Sequence, residues 1–129
     1  MAFAVIKKHG TSLFGNGFEW NGRVLKPYGK SSAHGWEFNG TQIKPYGQSV
    51  SKGYEWNGTV LKPYGRSAIA GFDCSSSMIK PHGRSQQSGW ANSNKVWHPF
   101  GKSITDGWDI QGELPLPLVA LVIMDLIKS

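Results

Sequence analysis

The stretch FEWNGRVLKPYGKSSAHG at residues 18–35 decides the fold, because it recurs with a period of 18 residues and without insertions. Pro, Gly, Ser and Gly stand at unit positions 10, 12, 14 and 18 of every copy. Self-similarity at a fixed period is typical of repeat architectures, in which neighbouring copies bury a shared core. The later copies are WEFNGTQIKPYGQSVSKG at 36–53, YEWNGTVLKPYGRSAIAG at 54–71, FDCSSSMIKPHGRSQQSG at 72–89 and WANSNKVWHPFGKSITDG at 90–107.

Partial copies flank the five complete units. IKKHGTS at 6–12 matches the second half of a unit, and WDIQG at 108–112 matches the beginning of one. The 17 glycines of the chain are about twice the usual share, which indicates many tight turns. We therefore expect a β-hairpin repeat domain over residues 1–112 and a different segment over 113–129.

Each unit is predicted to be a β-hairpin with two unlike faces. Asn21-Gly22, Asn39-Gly40 and Asn57-Gly58 are dipeptides typical of type I′ turns, which predict two-residue loops. Such a loop sets position 3 opposite position 6 and gives positions 1, 3 and 8 a common apolar face. The position-2 acids and the position-9 lysines share the other face, where we expect diagonal ion pairs.

The invariant Pro at position 10 bears on how the hairpins stack. It removes a backbone donor from the second strand, which a central strand tolerates poorly. We therefore predict an all-β fold of tandem 18-residue β-hairpins that form a solenoid or meander with an aromatic core, plus one short C-terminal apolar helix. The alternative is a β-helix with one 18-residue rung per turn. That arrangement is disfavoured because it stacks the position-2 acids about 4.8 Å apart.

The unit junctions each carry Gly followed by an aromatic residue, at 35–36, 53–54, 71–72, 89–90 and 107–108. Together with the short aromatic strand, the Gly turn and the second strand that follow, this pattern resembles choline-binding cell-wall repeats over residues 18–112. The resemblance implies a hairpin solenoid that holds quaternary ammonium groups in aromatic cages between repeats.

The last two complete units depart from the pattern. Cys74 and Asn92 replace the aromatic residue at position 3, and Trp97 replaces the aliphatic residue at position 8. We expect these changes to cap the stack, because terminal repeats meet different partners. The alternative is a ligand pocket beside Trp90 and Trp97, in the space left where position 3 has lost its aromatic side chain.

Residues 113–129 are predicted to form a Pro-led apolar helix that begins near Pro117 and is too short to cross a bilayer. The helix can pack on the repeats, form the core of a homo-oligomer or lie at a membrane surface. Membrane contact is the least expected of the three. An oligomer interface would contain Leu118, Leu121, Val122 and Met124.

The net charge of +6 follows the repeat. Position 9 is offset by the acids at position 2, whereas position 13 has no acidic counterpart in the unit. The position-13 cations are predicted to form a row spaced about 10 Å apart. Such a basic ladder can follow a nucleic-acid backbone, or can serve as a solvated face that discourages edge pairing. The ladder consists of Lys30, Arg66, Arg84 and Lys102.

Position 11 places tyrosines next to this ladder. If the strand stays regular through Pro, these rings lie on the outer face, where they suit sugar rings, bases or cations. The alternative is that each ring covers the Pro of the adjacent unit. With the junction aromatics and the substituted units, the candidate ligand-binding residues are Tyr28, Tyr46, Tyr64, Trp36, Tyr54, Trp90 and Trp97.

The sequence offers no pattern for catalysis or metal binding. The four histidines have no spacing that requires them to converge with a carboxylate. The Gly-Arg-Ser and Gly-Lys-Ser tripeptides lack the Gly spacing of a phosphate loop, and a single Cys excludes an intrachain disulfide. We therefore expect no enzymatic activity, no metal and no cofactor.

These observations favour a non-catalytic repeat-type binding or assembly module that binds a glycan or another extended polymer on its aromatic and basic surface. One alternative is a homo-oligomeric structural protein assembled through the C-terminal segment, and another is non-specific nucleic-acid binding along the basic ladder. We predict neither a signal peptide nor a transmembrane helix, and so expect a cytoplasmic protein or one exported by a non-classical route.

Overall fold

The computed structural model describes residues 3–127, which form a closed barrel of twelve antiparallel strands and one helix. The strands pair with their neighbours in chain order, and β1 pairs with β12. The strands are β1 (Ala4–Lys8), β2 (Gly17–Trp20), β3 (Val24–Pro27), β4 (Trp36–Phe38), β5 (Gln42–Pro45), β6 (Tyr54–Trp56), β7 (Val60–Pro63), β8 (Phe72–Cys74), β9 (Met78–Pro81), β10 (Trp90–Ser93), β11 (Val96–Pro99) and β12 (Trp108–Gly112), and the helix α1 is Leu116–Ile123. Single-turn 3-10 helices lie at Ser32–His34, Val50–Lys52, Ala68–Ala70, Gln86–Ser88 and Ile104–Asp106.

The two partial copies of the repeat form a sixth hairpin that closes the barrel. Ile6 of β1 pairs with Ile110 of β12, and Lys7 pairs with Asp109. These pairs set position 8 against position 3 and position 9 against position 2, which is the register inside every complete hairpin. The barrel therefore contains six equivalent units, of which the sixth is divided between the two ends of the described chain.

The hairpin register differs from the predicted one by two residues. The Asn21 N–H donates to the Val24 carbonyl at 3.3 Å, so the loop is Gly22-Arg23 and position 3 faces position 8. The Asn21 side-chain oxygen accepts the N–H groups of Arg23 and Val24 at 2.9 Å, and Gly22 has a φ of 97°. The predicted Asn-Gly loop is wrong. Because the shift is even, positions 1, 3 and 8 still share a face, and the predicted apolar face is confirmed.

Proline at position 10 does not interrupt the sheet, so the hairpins join into a closed barrel and the predicted solenoid or meander is not confirmed. Neighbouring units pair through positions 7 and 8, as where Leu25 pairs with Trp36. Pro27 lies beyond this ladder and faces only Phe18 of its own hairpin. The sheet therefore continues from unit to unit until it closes. Its antiparallel pairing also differs from the one-rung-per-turn β-helix that was the alternative.

The helix α1 runs inside the barrel. Its residues from Leu118 to Ile123 are at most 5 % exposed, so this stretch has no solvent-facing side. Twelve strands at the usual spacing and tilt close at a diameter of about 24 Å, and inward side chains reduce the free width to roughly that of one helix, about 10–12 Å. The helix packs in one cluster with the inward position-8 side chains Leu25, Ile43, Leu61, Ile79 and Trp97.

The centre of the core is aliphatic, whereas the sequence predicted an aromatic core. The fully buried side chains come from position 8, from Ile6 and from α1, because the helix occupies the volume that stacked rings were expected to fill. Several rings at positions 1 and 3 pack against this cluster and stay partly exposed: Trp36, Phe38, Tyr54, Trp56, Phe72, Trp90 and Trp108.

Position 3 divides the barrel into two halves. It holds a ring in the first three units and a smaller side chain in the others: Trp20, Phe38 and Trp56, then Cys74, Asn92 and Ile110. The chain enters the barrel after Gly112 on the second side, where Leu114 and Leu116 line one cavity with Asn92 and Ile110. The smaller side chains make room for this segment. The small residues at position 3 that were expected to cap a stack, Cys74 and Asn92, therefore lie on the side where this segment enters.

Candidate binding surface at the loop end of the barrel

The barrel has two different ends. We name the end formed by the hairpin turns, such as residues 21–23, the turn end. The opposite end is formed by the loops that join one unit to the next, and we name it the loop end. Its loops span residues 9–16, 28–35, 46–53, 64–71, 82–89 and 100–107, and the last five each contain one of the 3-10 helices.

Backbone hydrogen bonds hold each of these loops. The Tyr28 N–H donates to the Gly17 carbonyl at 3.0 Å, which continues the ladder past Pro27. The Lys30 N–H then donates to the Pro27 carbonyl at 3.1 Å and closes a turn in which Gly29 has a φ of 83°. The equivalent bonds recur in the next four units, so position 11 and position 13 take the same place in each loop.

Glycine at position 18 is required by close backbone packing at the end of each loop. Gly35 has a φ of −112°, which any residue adopts. A Cβ atom there would lie 2.6 Å from the Leu25 carbonyl oxygen, well inside van der Waals contact. The same kind of clash occurs at the other junctions, so the loops start and end at fixed points on the barrel. These glycines are Gly17, Gly53, Gly71, Gly89 and Gly107.

The outer wall of the barrel carries charges in pairs. Each acid at position 2 lies 2.8–3.3 Å from a lysine at position 9, which confirms the predicted neutralisation of that lysine row. The partners are directly opposite each other, not diagonal, because of the shifted register. The pairs are Glu19–Lys26, Glu37–Lys44, Glu55–Lys62, Asp73–Lys80 and Asp109–Lys7.

In the first three units the glutamate also accepts a backbone donor from position 12. The Glu37 carboxylate accepts Lys44 Nζ at 2.8 Å and the Gly47 N–H at 3.0 Å. The hydrogen bond from Lys44, followed by that from Gly47, holds the pKa of the Glu37 carboxyl below its ordinary value. The pKa values of Glu19 and Glu55 are lowered by the same two kinds of donor.

In the fourth and sixth units Asp and His replace Glu and Tyr. Asp73 Oδ1 lies 2.6 Å from His82 Nδ1, and Lys80 Nζ donates to Asp73 Oδ2 at 3.1 Å. Asp109 lies 2.6 Å from His9 Nδ1 in the same way. Burial raises the pKa of both aspartates, but the hydrogen bonds and charges of His and Lys outweigh it, so each pKa is lowered. Sequence reasoning missed these clusters. Their signal was the joint change at positions 2 and 11.

Because the charges on the outer wall neutralise each other in pairs, most of the surplus positive charge of residues 3–127 lies at the loop end. The loop end carries Lys8, Lys30, Lys52, Arg66, Arg84 and Lys102 against Asp106 and Asp125. The turn end carries Arg23 and Lys95 against Glu113. The formal excess is therefore four positive charges at the loop end and one at the turn end.

The predicted basic ladder lies on this charged end. Lys30, Arg66, Arg84 and Lys102 are all exposed, one in each of four loops. Because the barrel is closed, the loops follow a circle, so the predicted straight row becomes part of a ring. Lys8 and Lys52 were not predicted to contribute, since neither occupies position 13.

The position-11 tyrosines lie exposed beside the loop end. Tyr28, Tyr46 and Tyr64 are 38 %, 44 % and 41 % exposed, which agrees with the outward-facing alternative for this position. Phe14 packs edge-on against Tyr28, with ring centroids 6.4 Å apart. Each ring thus stands two residues before position 13, which is a cation in units one and three.

The other predicted aromatic residues belong to the core. Trp97 is 2 % exposed, so its ring is enclosed by the barrel and is not on a ligand surface. Trp36, Tyr54 and Trp90 are half-buried and pack against the core cluster. A cavity of about 310 Å³ does lie beside Trp97 at the turn end, but Trp90 is not among its lining residues.

The predicted oligomer interface also lies inside the barrel. Leu118 and Leu121 are fully buried and Val122 is 3 % exposed, while Met124 is half-buried just after α1. Leu118, Leu121 and Val122 pack against the strands of their own chain, so these three are not on a surface that a second copy reaches. An assembly of several chains would have to use other residues.

The described residues contain no arrangement typical of metal or thiol chemistry. No group of three His, Cys, Asp or Glu side chains within residues 3–127 can hold a metal ion. Burial raises the pKa of the Cys74 thiol to about 12, so this thiol is unreactive at neutral pH. Over the same residues, the helices are all too short or too polar to span a bilayer.

Comparison with known proteins leaves the loop end to be interpreted from its own chemistry. No family model, curated protein or solved structure matches this chain. The likeness of its unit junctions to choline-binding repeats stays a prediction. What the loop end provides is a ring of cations, a set of exposed tyrosines and a rigid barrel that fixes their positions.

Proposed function

We propose that the protein is a non-catalytic binding module that holds an extended, negatively charged ligand at the loop end of its barrel. The observation that carries this proposal is the sorting of charge. The wall charges are paired at 2.8–3.3 Å, whereas the loop end has a formal excess of four positive charges.

The spacing of the units supports binding of a long ligand instead of a single ion. Successive units lie two strand spacings apart, or about 10 Å, which is close to the Debye length of about 8 Å in physiological salt. Because this distance slightly exceeds the Debye length, each loop presents a largely separate positive charge, and several such charges attract a ligand whose own charges repeat. A polymer with repeated negative charges can meet several loops at once.

The tyrosines support a ligand that contains rings. Tyr28, Tyr46 and Tyr64 offer exposed aromatic faces next to the cations, and aromatic faces stack on sugars or bases. An acidic glycan combines negative charge with sugar rings, so it matches both features. Nucleic acid is the second candidate, because phosphates and bases make the same two demands.

Calorimetric titration with polygalacturonate, an acidic polysaccharide, tests the role of the loop end. The variant Arg66→Ser with Arg84→Ser and its control Arg23→Ser with Lys95→Ser have the same net charge and differ only in which end loses cations. We expect the first to lose at least about tenfold in affinity and the control less than threefold. Equal losses would show attraction to net charge alone and would overturn the proposal.

A second experiment tests the tyrosines and separates the two ligand classes. We expect Tyr28→Ala, Tyr46→Ala and Tyr64→Ala together to weaken binding on a glycan array. Unchanged binding would remove these rings from the site. A single-stranded oligonucleotide and polygalacturonate are then each titrated at several salt concentrations, since neutralised phosphates set the slope of log affinity against log salt for nucleic acid. Tighter binding of the oligonucleotide than of polygalacturonate at equal charge would favour nucleic acid.

A further inference from the structure

The loop end also carries six of the seven large hydrophobic side chains that are exposed among the described residues. Ile69 is 83 % exposed and Ile104 is 42 % exposed, and both belong to 3-10 helices of this end. Phe14, in the loop between β1 and β2, is 72 % exposed. With the three position-11 tyrosines, these account for the large exposed hydrophobic side chains of residues 3–127 apart from Phe3, which lies at the turn end.

These aliphatic side chains distinguish between possible anionic partners. Sugars and bases stack on aromatic faces, and a soluble polyanion makes no use of an exposed isoleucine. A lipid bilayer uses both features, because anionic headgroups attract Lys and Arg while apolar side chains enter the boundary between headgroups and acyl chains. Exposed apolar side chains among cations are therefore better matched by a membrane surface than by a soluble polymer.

The shape of the loop end favours the same partner. The loops are arranged in a ring around the barrel, and position-18 glycines fix where each loop begins and ends. A linear polymer must bend around the ring to meet all of them, whereas a flat surface meets many loop tips together. Each unit then adds its own contact to a shared docking face.

We propose that the loop end docks on an anionic phospholipid surface, with its cations against the headgroups and Ile69 and Phe14 inserted beside them. This inference rests on the proposed function, since it uses the same cations, and it names the chemistry of the partner. The sequence predicted that membrane contact is unlikely, a prediction based on the apolar segment at the C-terminal end. In this docking α1 stays inside the barrel and the loops make the contact.

Vesicle sedimentation of the full chain tests the docking. We expect binding to vesicles of phosphatidylcholine with about 30 % phosphatidylserine, and none to phosphatidylcholine alone. A cation near such a surface changes the partition coefficient about fivefold. Arg66→Ser with Arg84→Ser should therefore reduce binding about 25-fold, and the control Arg23→Ser with Lys95→Ser much less.

The apolar contact has its own matched pair of variants. Ile69→Ser should weaken vesicle binding about three- to tenfold, whereas Phe3→Ser, which removes an exposed apolar side chain from the turn end, should leave it unchanged. Ile69→Ser should also leave the affinity for polygalacturonate unchanged. An equal loss with both ligands would overturn the inference, because it would mean that Ile69 supports the loop and not a membrane contact.

Parallel titrations separate failure of the inference from failure of the proposed function. If polygalacturonate binds and vesicles do not, docking on lipid is overturned and the proposed function stands. If neither binds, both are overturned. If a single-stranded oligonucleotide binds more tightly than the anionic vesicles and Ile69→Ser has no effect on either, the partner is nucleic acid and the lipid inference is overturned.

Discussion

The two halves of the barrel pack against α1 in different ways. In units one to three, a ring at position 3 reaches the core, and a glutamate on the wall is held by Lys and a backbone N–H. In units four to six, position 3 is smaller and the entering segment supplies Leu114 and Leu116, while an aspartate in two of the units is held by Lys and His. The backbone thus repeats, whereas position 3 accommodates a helix that has no symmetry, and positions 2 and 11 differ between the halves on the outer wall.

The largest effect is expected from disrupting the helix in the lumen, against which both halves pack. Leu121→Asp places a charge at a fully buried position among aliphatic side chains. We expect it to cost at least about 5 kcal/mol, comparable with the whole stability of many domains, so that the barrel does not form. Circular dichroism checks this. Leu121→Met is the control and should cost less than about 1.5 kcal/mol.

The reactivity of the Cys74 thiol gives a second measurement of whether the barrel has formed. With its pKa raised from 9.0 to about 12, the folded protein holds about a thousandfold less thiolate than a free thiol. Alkylation should therefore be slow in the native protein and fast in the Leu121→Asp variant. Fast labelling of the native protein would contradict the packing of unit four described above.

The next largest effect is expected from deleting the position-3 side chain on either side. Trp20 is 5 % exposed and fills its half of the core, so Trp20→Ala should lower the free energy of unfolding by about 3–5 kcal/mol. Ile110 is half-buried beside the entering segment, and Ile110→Ala should cost about 1–2 kcal/mol. Urea denaturation measures both. Equal losses would mean that the two halves rely on position 3 to the same degree.

As the pH falls, the wall glutamates of the first half should begin to lose their contribution to stability before the wall aspartates of the second half. The wall carboxyls have lowered pKa values in the folded protein, against unfolded values of 4.5 for Glu and 3.8 for Asp. Their contribution is thus present above the unfolded pKa and is lost as pH falls through the folded one. We expect a constant urea midpoint above about pH 5 and a fall below about pH 4.

Amide variants assign this fall to each half. Removing the glutamates of units one to three should flatten the plot of urea midpoint against pH at the upper end of its fall. The variants are Glu19→Gln, Glu37→Gln and Glu55→Gln. Replacing Asp73→Asn and Asp109→Asn should flatten the lower part, because the aspartates titrate from a lower starting value. A wild-type midpoint that stays constant down to pH 3 would contradict a role of these pairs in stability.

The smallest effect is expected from converting one wall cluster into the other. Asp73→Glu alone crowds His82, and His82→Tyr alone removes a partner from Asp73, so each should cost about 0.5–1 kcal/mol. The double variant rebuilds the Glu–Lys–Gly cluster of units one to three and should recover most of that loss. Simple additivity in this double-mutant cycle would show that the two types of cluster are not alternatives.

The local parts of the fold could be predicted from the sequence, because each depends on residues within one unit. The period, the hairpins, the apolar face and the neutralised lysines at position 9 follow from alternation and spacing. The exposed tyrosines follow from the same alternation, continued through Pro. The register required knowledge of how the Asn21 side chain binds the turn, which the dipeptide alone does not reveal.

The remaining features depend on contacts between residues far apart in the chain. Joining residues 6–12 to residues 108–112 into one hairpin requires the sheet to curve through a full circle, and no single unit encodes that closure. Trp97 was assigned to a ligand surface because it is an aromatic residue in an altered unit. Its burial follows from position 8 facing the lumen helix, whose location inside the barrel the repeat pattern does not predict.

The position of α1 in the chain has a consequence for the order of events during synthesis. The helix and β12 are made after the first eleven strands, yet they supply the centre of the core and the second partner of β1. While the ribosome is still adding residues 108–123, the sheet of the earlier units has an apolar inner surface with nothing to cover it. The core is therefore complete only after residues 116–123 are made, and until then the exposed apolar inner surface favours aggregation.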